Sequence, residues 1–263
     1  MKNWATKIAA IGLGLAYATA TPTLAGGLKG GGLKDGGYYE QPTWIATYSG
    51  ADFAKDSFYS YSGAVVSLQR DLSRSGFVFQ GFAGYGSYEY GSSLGTIDGD
   101  VSQLAASLGY LWVRPGAAFG IYLGADYTDH DLTPNDPFNN VRGDEVGFRV
   151  GADLRLVGPS HYISLEGYYS TAFDSYWTRA RAGLNVGHFV IGPEVGALGN
   201  EGFDAQRLGG FVMFKLDFFG TRNPAELTLN AGYQFLSDDD NSFAASSAGG
   251  EGAYGGFNLS FSF

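Results

Sequence analysis

The sequence predicts an all-β protein, a transmembrane antiparallel up-and-down β-barrel of about 12 strands. Three observations lead there. Residues 253–263 alternate Phe257, Leu259, Phe261 and Phe263 with Gly256, Asn258, Ser260 and Ser262, the period of two of a strand with one apolar and one polar face. The same alternation recurs along the chain from Pro42 onward. The composition holds 42 Gly, 18 Tyr and 20 Phe but only 16% charged residues, against roughly 25% in soluble domains. A wall with lipid outside and water inside accounts for all three. The four apolar side chains of the last strand are then both its lipid face and an assembly signal, ending in an aromatic carboxyl terminus.

The chain opens with an address. Lys2 and Lys7 flank the start of an apolar run over 8–18, and Ala18-Thr19-Ala20 and Thr23-Leu24-Ala25 are small-residue cleavage sites. Residues 1–25 therefore read as a secretory signal peptide. The run is too short for a bilayer-spanning helix, which needs about 20 residues, so membrane residence of the exported chain has to be as a barrel, in the bacterial outer membrane. Residues 26–41, GGLKGGGLKDGGYYEQ, bury no core and read as a periplasmic linker. The barrel takes 42–263. Loss of the two lysines moves the formal charge from −10 to −12, which argues against nucleic acid as a partner.

The strands follow in order. The first covers 43–51, the second 58–69, and the third 76–88, with Phe77, Phe79, Ala83 and Tyr85 on one face and Gln80, Gly84 and Gly86 on the other. In the fourth, 101–113, Leu104, Ala106, Leu108, Tyr110 and Trp112 alternate with Gln103, Ser107 and Gly109. The fifth, 118–128, sends Phe119, Ile121, Leu123, Ala125 and Tyr127 outward. The sixth, 146–156, alternates most cleanly: Val146, Phe148, Val150, Ala152, Leu154 and Leu156 against Gly147, Arg149, Gly151, Asp153 and Arg155. Strands at 161–171, 175–186, 188–198, 207–218, 226–235 and 253–263 complete the set.

Short turns are expected near Ser73, Pro115, Pro159, Gly187 and Asn223, and longer connections over 91–100, 129–145, 199–206 and 237–252. Short periplasmic turns and longer outside loops orient such a barrel. Aromatics near the strand ends, among them Tyr85, Trp112, Phe119, Tyr127, Tyr169 and Phe189, read as two interfacial girdles.

On the inward parity, strands six to ten carry Arg149, Asp153, Arg155, Glu166, Arg179, Arg181, Glu194, Lys215 and Asp217. Charges there have to pair or be hydrated. They read either as a passage for a hydrophilic solute or as an internal salt-bridge lattice closing a narrow barrel, and the lattice is favoured because a lumen of this strand number is small. Tyr168 and Trp177, also inward, are candidate glycan contacts. Outside, Asp129, His130, Asp131, Asp136 and Asp144 form an acidic loop. Its oxygen ligands suit Ca²⁺ or Mg²⁺, but no calcium-loop spacing occurs, so no metal and no cofactor is assigned. No nucleophile motif or zinc-ligand spacing occurs either, and the reading is non-enzymatic.

Several stretches carry a resemblance: Tyr48-Ser49-Gly50-Ala51-Asp52 followed by Asp56-Ser57-Phe58-Tyr59-Ser60-Tyr61-Ser62-Gly63; residues 76–90; Tyr122-Leu123-Gly124-Ala125-Asp126-Tyr127 running into Leu132-Thr133-Pro134-Asn135-Asp136-Pro137; and Gly192-Pro193-Glu194 with Gly199-Asn200. In these the chain resembles the cellulose biosynthesis protein BcsS family. The resemblance implies an outer-membrane barrel associated with bacterial cellulose synthesis and secretion, and carries over no site residues. The expected function is an accessory of exopolysaccharide export, as scaffold or dock more than polymer pore. Its expected partners are outer-membrane lipid, the cellulose synthase and export machinery, glucan, and the barrel assembly machinery. The alternative is a general small porin.

Overall fold

The computed structural model describes residues 43–216, 225–237 and 250–263. Within them, twelve antiparallel strands close into one barrel. They are β1 Ile45–Ala54, β2 Ser57–Ser67, β3 Gly76–Ser92, β4 Gly95–Arg114, β5 Ala117–Thr133, β6 Gly143–Val157, β7 His161–Ser170, β8 Tyr176–Val186, β9 Phe189–Asn200, β10 Phe203–Leu216, β11 Ala225–Leu236 and β12 Gly252–Ser262. A 3₁₀ turn, Ala172–Asp174, lies between β7 and β8. Every strand pairs with its neighbours in sequence, and β1 pairs with β12 from Ala46↔Ser262 to Ala54↔Tyr254. The signal peptide and linker readings fall on residues 1–41, outside the described residues.

An even strand number brings both ends of the barrel to one rim, here the terminal rim. The seam is sealed there: the N–H groups of Trp44 and Ile45 donate to the Phe263 carbonyl at 2.6 and 3.2 Å, and the Phe263 N–H donates to Ile45 O at 2.8 Å. The opposite end is the distal rim.

Alternation fixes which side chains face out. Phe77, Phe79, Leu108, Ile121, Leu123, Val150, Leu165, Ile191, Leu208 and Phe257 all lie exposed on the outer wall. A continuous apolar belt of this kind far exceeds the patches that soluble proteins leave bare and fits the outer face of a membrane barrel. Near the terminal rim the belt is edged by stacked aromatics such as Trp112 and Phe119, 5.4 Å apart. Toward the distal rim the outward tyrosines are tied to acids. Tyr85 donates to Asp100 (2.8 Å), Tyr169 to Asp174 (2.6 Å), and Tyr176 to Asp204 (2.6 Å).

Facing in, tyrosine meets glycine. Tyr48 opposes Gly63, Tyr59 opposes Gly86, Tyr88 opposes Gly99, Tyr122 opposes Gly109, and Tyr254 opposes Gly232 on the adjacent strand. In each pair a methyl added to the glycine would run into the tyrosine ring. The large side chain lies flat over the position where its neighbour has none, and much of the Gly and Tyr content is explained by this packing.

The distal connections differ from expectation. Residues 91–100 and 199–206 are mostly hairpin ladder, turning tightly at 93–94 and 201–202, and the 129–145 loop shrinks to 134–142. The outward apolar alternation stops at about Tyr85 and Tyr127, but the inward one continues. Tyr88, Tyr90, Ile97 and Leu132 form a second core above the belt and hold β3, β4 and β5 together. β4 is consequently 20 residues long, about twice what a tilted span needs.

Candidate functional site

The lumen is filled in three zones. At the terminal rim, Tyr48, Val65, Val78, Leu111 and Tyr122 form an apolar floor. The β2–β3 connection tucks Leu72 fully into it, fastened by the Leu72 N–H donating to Thr43 O at 2.8 Å.

The middle zone is charged. Arg149 pairs with Asp126 (3.3 Å), Arg155 with Glu226 (2.8 Å), Arg179 with Glu166 (2.6 Å) and Arg181 with Glu194 (2.5 Å), all of them buried. Neutral donors complete the carboxylates: Ser170 and Gln103 to Asp126 (2.6 and 3.3 Å), Asn230 and Tyr254 to Glu194 (3.0 and 3.1 Å). Each guanidinium also rests near an aromatic ring. Arg149 sits 3.5 Å from the centroid of Tyr168, and Arg155, Arg179 and Arg181 lie 5.2, 4.9 and 5.2 Å from Tyr162, Trp177 and Phe211. Ion pairs removed from water must recover several kcal/mol of desolvation, which good geometry and extra hydrogen bonds do. Two small voids of about 40 and 10 Å³ lie among these side chains.

Above the lattice, toward the distal rim, the lumen opens into a vestibule of about 160 Å³. Tyr59 and Tyr61 form a stacked pair on β2 (6.3 Å, 26°), and Tyr168 and Trp177 form another on β7 and β8 (6.4 Å, 22°). Five strands lie between β2 and β8 on either side of the closed ring of twelve, so the two ladders face each other across the mouth. Phe173, in the 3₁₀ turn with φ of 51°, hangs in from the rim. Its N–H donates to Glu145 Oε2, its carbonyl accepts from the Glu201 N–H (both 2.9 Å), and its ring meets His130 edge-on at 5.1 Å.

The residues singled out from the sequence distribute as follows. Arg149, Asp153, Arg155, Glu166, Arg179, Arg181 and Glu194 lie buried inside the wall, with Tyr168 and Trp177 beside them at the vestibule. Lys215 does not join the row: it keeps the parity of Phe211 and Met213 but stands exposed at the terminal rim, past the last layer of the lumen. Asp217 is outside the described residues. Phe257, Phe261 and Phe263 are exposed on the outer wall, with Leu259 half-buried between them.

The acidic loop is corrected. Asp129, His130 and Asp131 are on β5, paired with β4 through Val101↔His130 and Asp100↔Asp131. Alternation then points His130 inward, where its Nδ1 shares a hydrogen bond with the Tyr88 hydroxyl (2.9 Å), and turns Asp129 and Asp131 out. Asp136 is buried and accepts from the Tyr90 hydroxyl (3.3 Å), while Asp144 is exposed on β6. The five do not converge on one site. Among the described residues, no group of three or more His, Cys, Asp or Glu side chains is arranged to hold a metal ion.

Sequence reasoning missed Asp52, Asp126 and Glu226 because it stopped at strands six to ten, and it passed over Arg207 on the tenth. Asp126 was within reach, since it shares the parity of Tyr122. Glu226 was not, because its role depends on which strand lies across the lumen.

A family profile described as cellulose biosynthesis protein BcsS matches residues 46–263. The chain belongs to the BcsS family. The matched range runs from β1 to the last residue of the seam, and the family is one of cellulose biosynthesis. No curated protein matches. Among solved structures, the chain is similar to a KdgM porin in complex with disordered oligogalacturonate (11% identity, 83% of this chain and 99% of that one, TM-score 0.42). It is also similar to the transport unit of the autotransporter AIDA-I from Escherichia coli (10% identity, 92% and 95%, TM-score 0.46), and to the β domain of the Bordetella autotransporter BrkA (14% identity, 84% and 98%, TM-score 0.39).

Proposed function

We propose that this protein is a non-catalytic outer-membrane accessory of bacterial cellulose biosynthesis and secretion, exported by a cleaved signal peptide. It works as a surface scaffold or dock beside the synthesis and export machinery, not as the polymer's conduit. The observation that carries this is the filled lumen. A glucan chain in transit needs a continuous passage about one sugar ring wide, and the Arg–carboxylate lattice with its apolar floor leaves voids of 40 and 10 Å³ where that passage would run. A general porin needs a water-filled channel in the same place. The apolar outer belt supports residence in lipid, and the family membership supports the link to cellulose.

The test is a gene deletion scored for surface cellulose and outer-membrane permeability together, with single-channel recording of the purified protein. Reduced or disordered surface cellulose, unchanged permeability and no stable conductance are expected. Normal cellulose in the deletion strain would reject the cellulose role. A steady open conductance would reject the closed barrel.

A further inference from the structure

We infer that the distal vestibule is a binding site for the terminal residue of a neutral, equatorially substituted sugar chain such as a β-1,4-glucan. This deepens, and rests on, the reading of the protein as a cellulose accessory.

The walls have the right chemistry. A β-linked glucosyl ring carries its hydroxyls around its edge and presents C–H bonds on both faces. Flat aromatic surfaces suit those faces, and a few polar atoms suit the edge. The Tyr59–Tyr61 and Tyr168–Trp177 ladders supply surfaces on opposite sides. The polar atoms are present and unused. Thr128 is 4% exposed, its Oγ1 has no hydrogen-bond partner, and it borders the cavity, as does the buried, unpartnered Ser175 Oγ. A buried hydroxyl without a partner costs stability, and a sugar hydroxyl would satisfy it.

Charge selects a neutral ligand. Arg207 pairs with Asp52 at 3.7 Å and lies 4.9 Å from the ring of Tyr254. His130 is engaged by Tyr88. Among the described residues that line the vestibule, no cation is left over to balance an acidic sugar.

Depth selects a chain end. The cavity holds about 160 Å³, and a cavity of roughly 150 Å³ is enough for one benzene-sized ring. Below it the Arg149–Asp126–Gln103 group closes the lumen. A chain cannot pass through, so only its last ring can enter.

The test uses the protein purified from outer membranes in detergent, with cellobiose, cellotetraose and tetragalacturonate as probes. Binding is read by calorimetry and by tryptophan fluorescence, since Trp177 lines the vestibule. We expect cellobiose and cellotetraose to bind within about threefold of each other and tetragalacturonate at least tenfold more weakly. Trp177→Ala should weaken cellotetraose at least tenfold. Thr128→Val removes only the unpartnered hydroxyl, and should weaken binding several-fold with the heat-modifiable folded form unchanged, so the test survives if Trp177→Ala fails to fold. Absence of cellotetraose binding, equal binding of the acidic probe, affinity rising steeply with chain length, or unaltered binding by folded Thr128→Val would each overturn the site. The deletion strain decides the wider reading separately: lost cellulose with no sugar binding removes this site alone, and sugar binding with normal cellulose removes the cellulose role alone.

Discussion

Arg155 donates from one nitrogen to both carboxylate oxygens of Glu226, at 2.8 and 2.9 Å, although 71 residues separate them. Arg155 is on β6 and Glu226 at the start of β11, so the pair spans the lumen and braces two walls that share no backbone hydrogen bond. Truncating one partner leaves the other charge buried alone, at a cost of about 3–5 kcal/mol. Glu226→Ala should therefore lower the melting midpoint of the heat-modifiable band markedly. Arg155→Leu combined with Glu226→Leu should recover most of the loss. Equal losses in the single and double variants would show that the pair is not a brace.

The tyrosine–glycine contacts predict a contrast between two glycines of one hairpin. Gly99 faces the Tyr88 ring, which its hydrogen bond to His130 holds in place, while Gly91 has nothing within 4 Å of an added methyl. Gly99→Ala should cost about 1–3 kcal/mol by overpacking. Gly91→Ala should be neutral or slightly stabilising, by up to about 1 kcal/mol. Urea unfolding midpoints in detergent measure both.

Parity on β6 predicts opposite outcomes for neighbouring positions. Val150 is exposed in the centre of the apolar belt, level with Leu123. Val150→Arg should cost about 2–4 kcal/mol in a bilayer. Asp153 faces inward and opposes Glu166 in register, acid against acid. Asp153→Asn should insert normally with stability unchanged or raised. Refolding yields into lipid vesicles separate the two, and equal yields would overturn the facing.

The seam predicts the effect of shortening the chain by one residue. Phe263 closes the ladder with Trp44 and Ile45 through three backbone hydrogen bonds and stacks on Phe261 at 6.3 Å. Deleting it should sharply reduce the heat-modifiable, membrane-inserted fraction. Phe263→Leu keeps the backbone bonds and should retain more of it than the deletion does.

Much of the fold was legible because one rule, the period of two, decides both the strand and its facing. Arg149, Asp153 and Arg155 could be placed inside from β6 alone. The rule reads one strand at a time, and it misleads where the two faces end at different heights. The outward apolar run on β5 stops at Tyr127 while the inward one continues through His130 to Leu132, so the strand runs five residues, 129–133, into the expected loop. What holds the lumen shut was not legible. Arg155 finding Glu226, or Asp126 meeting Arg149, Ser170 and Gln103 together, depends on closure and on which walls then face each other.

The flat tyrosines have a consequence for how the strands find one another. A slip of one residue between neighbours is self-correcting, since it turns every apolar side chain to the wrong side. A slip of two leaves both faces intact, and hydrophobicity cannot detect it. With Tyr48 over Gly63, Tyr122 over Gly109 and Tyr254 over Gly232, the same slip drives a ring against a side chain or leaves it over a gap. The glycines are thus the notches of a key. They carry no contact energy of their own, yet they allow one alignment of the sheet and exclude its nearest competitor.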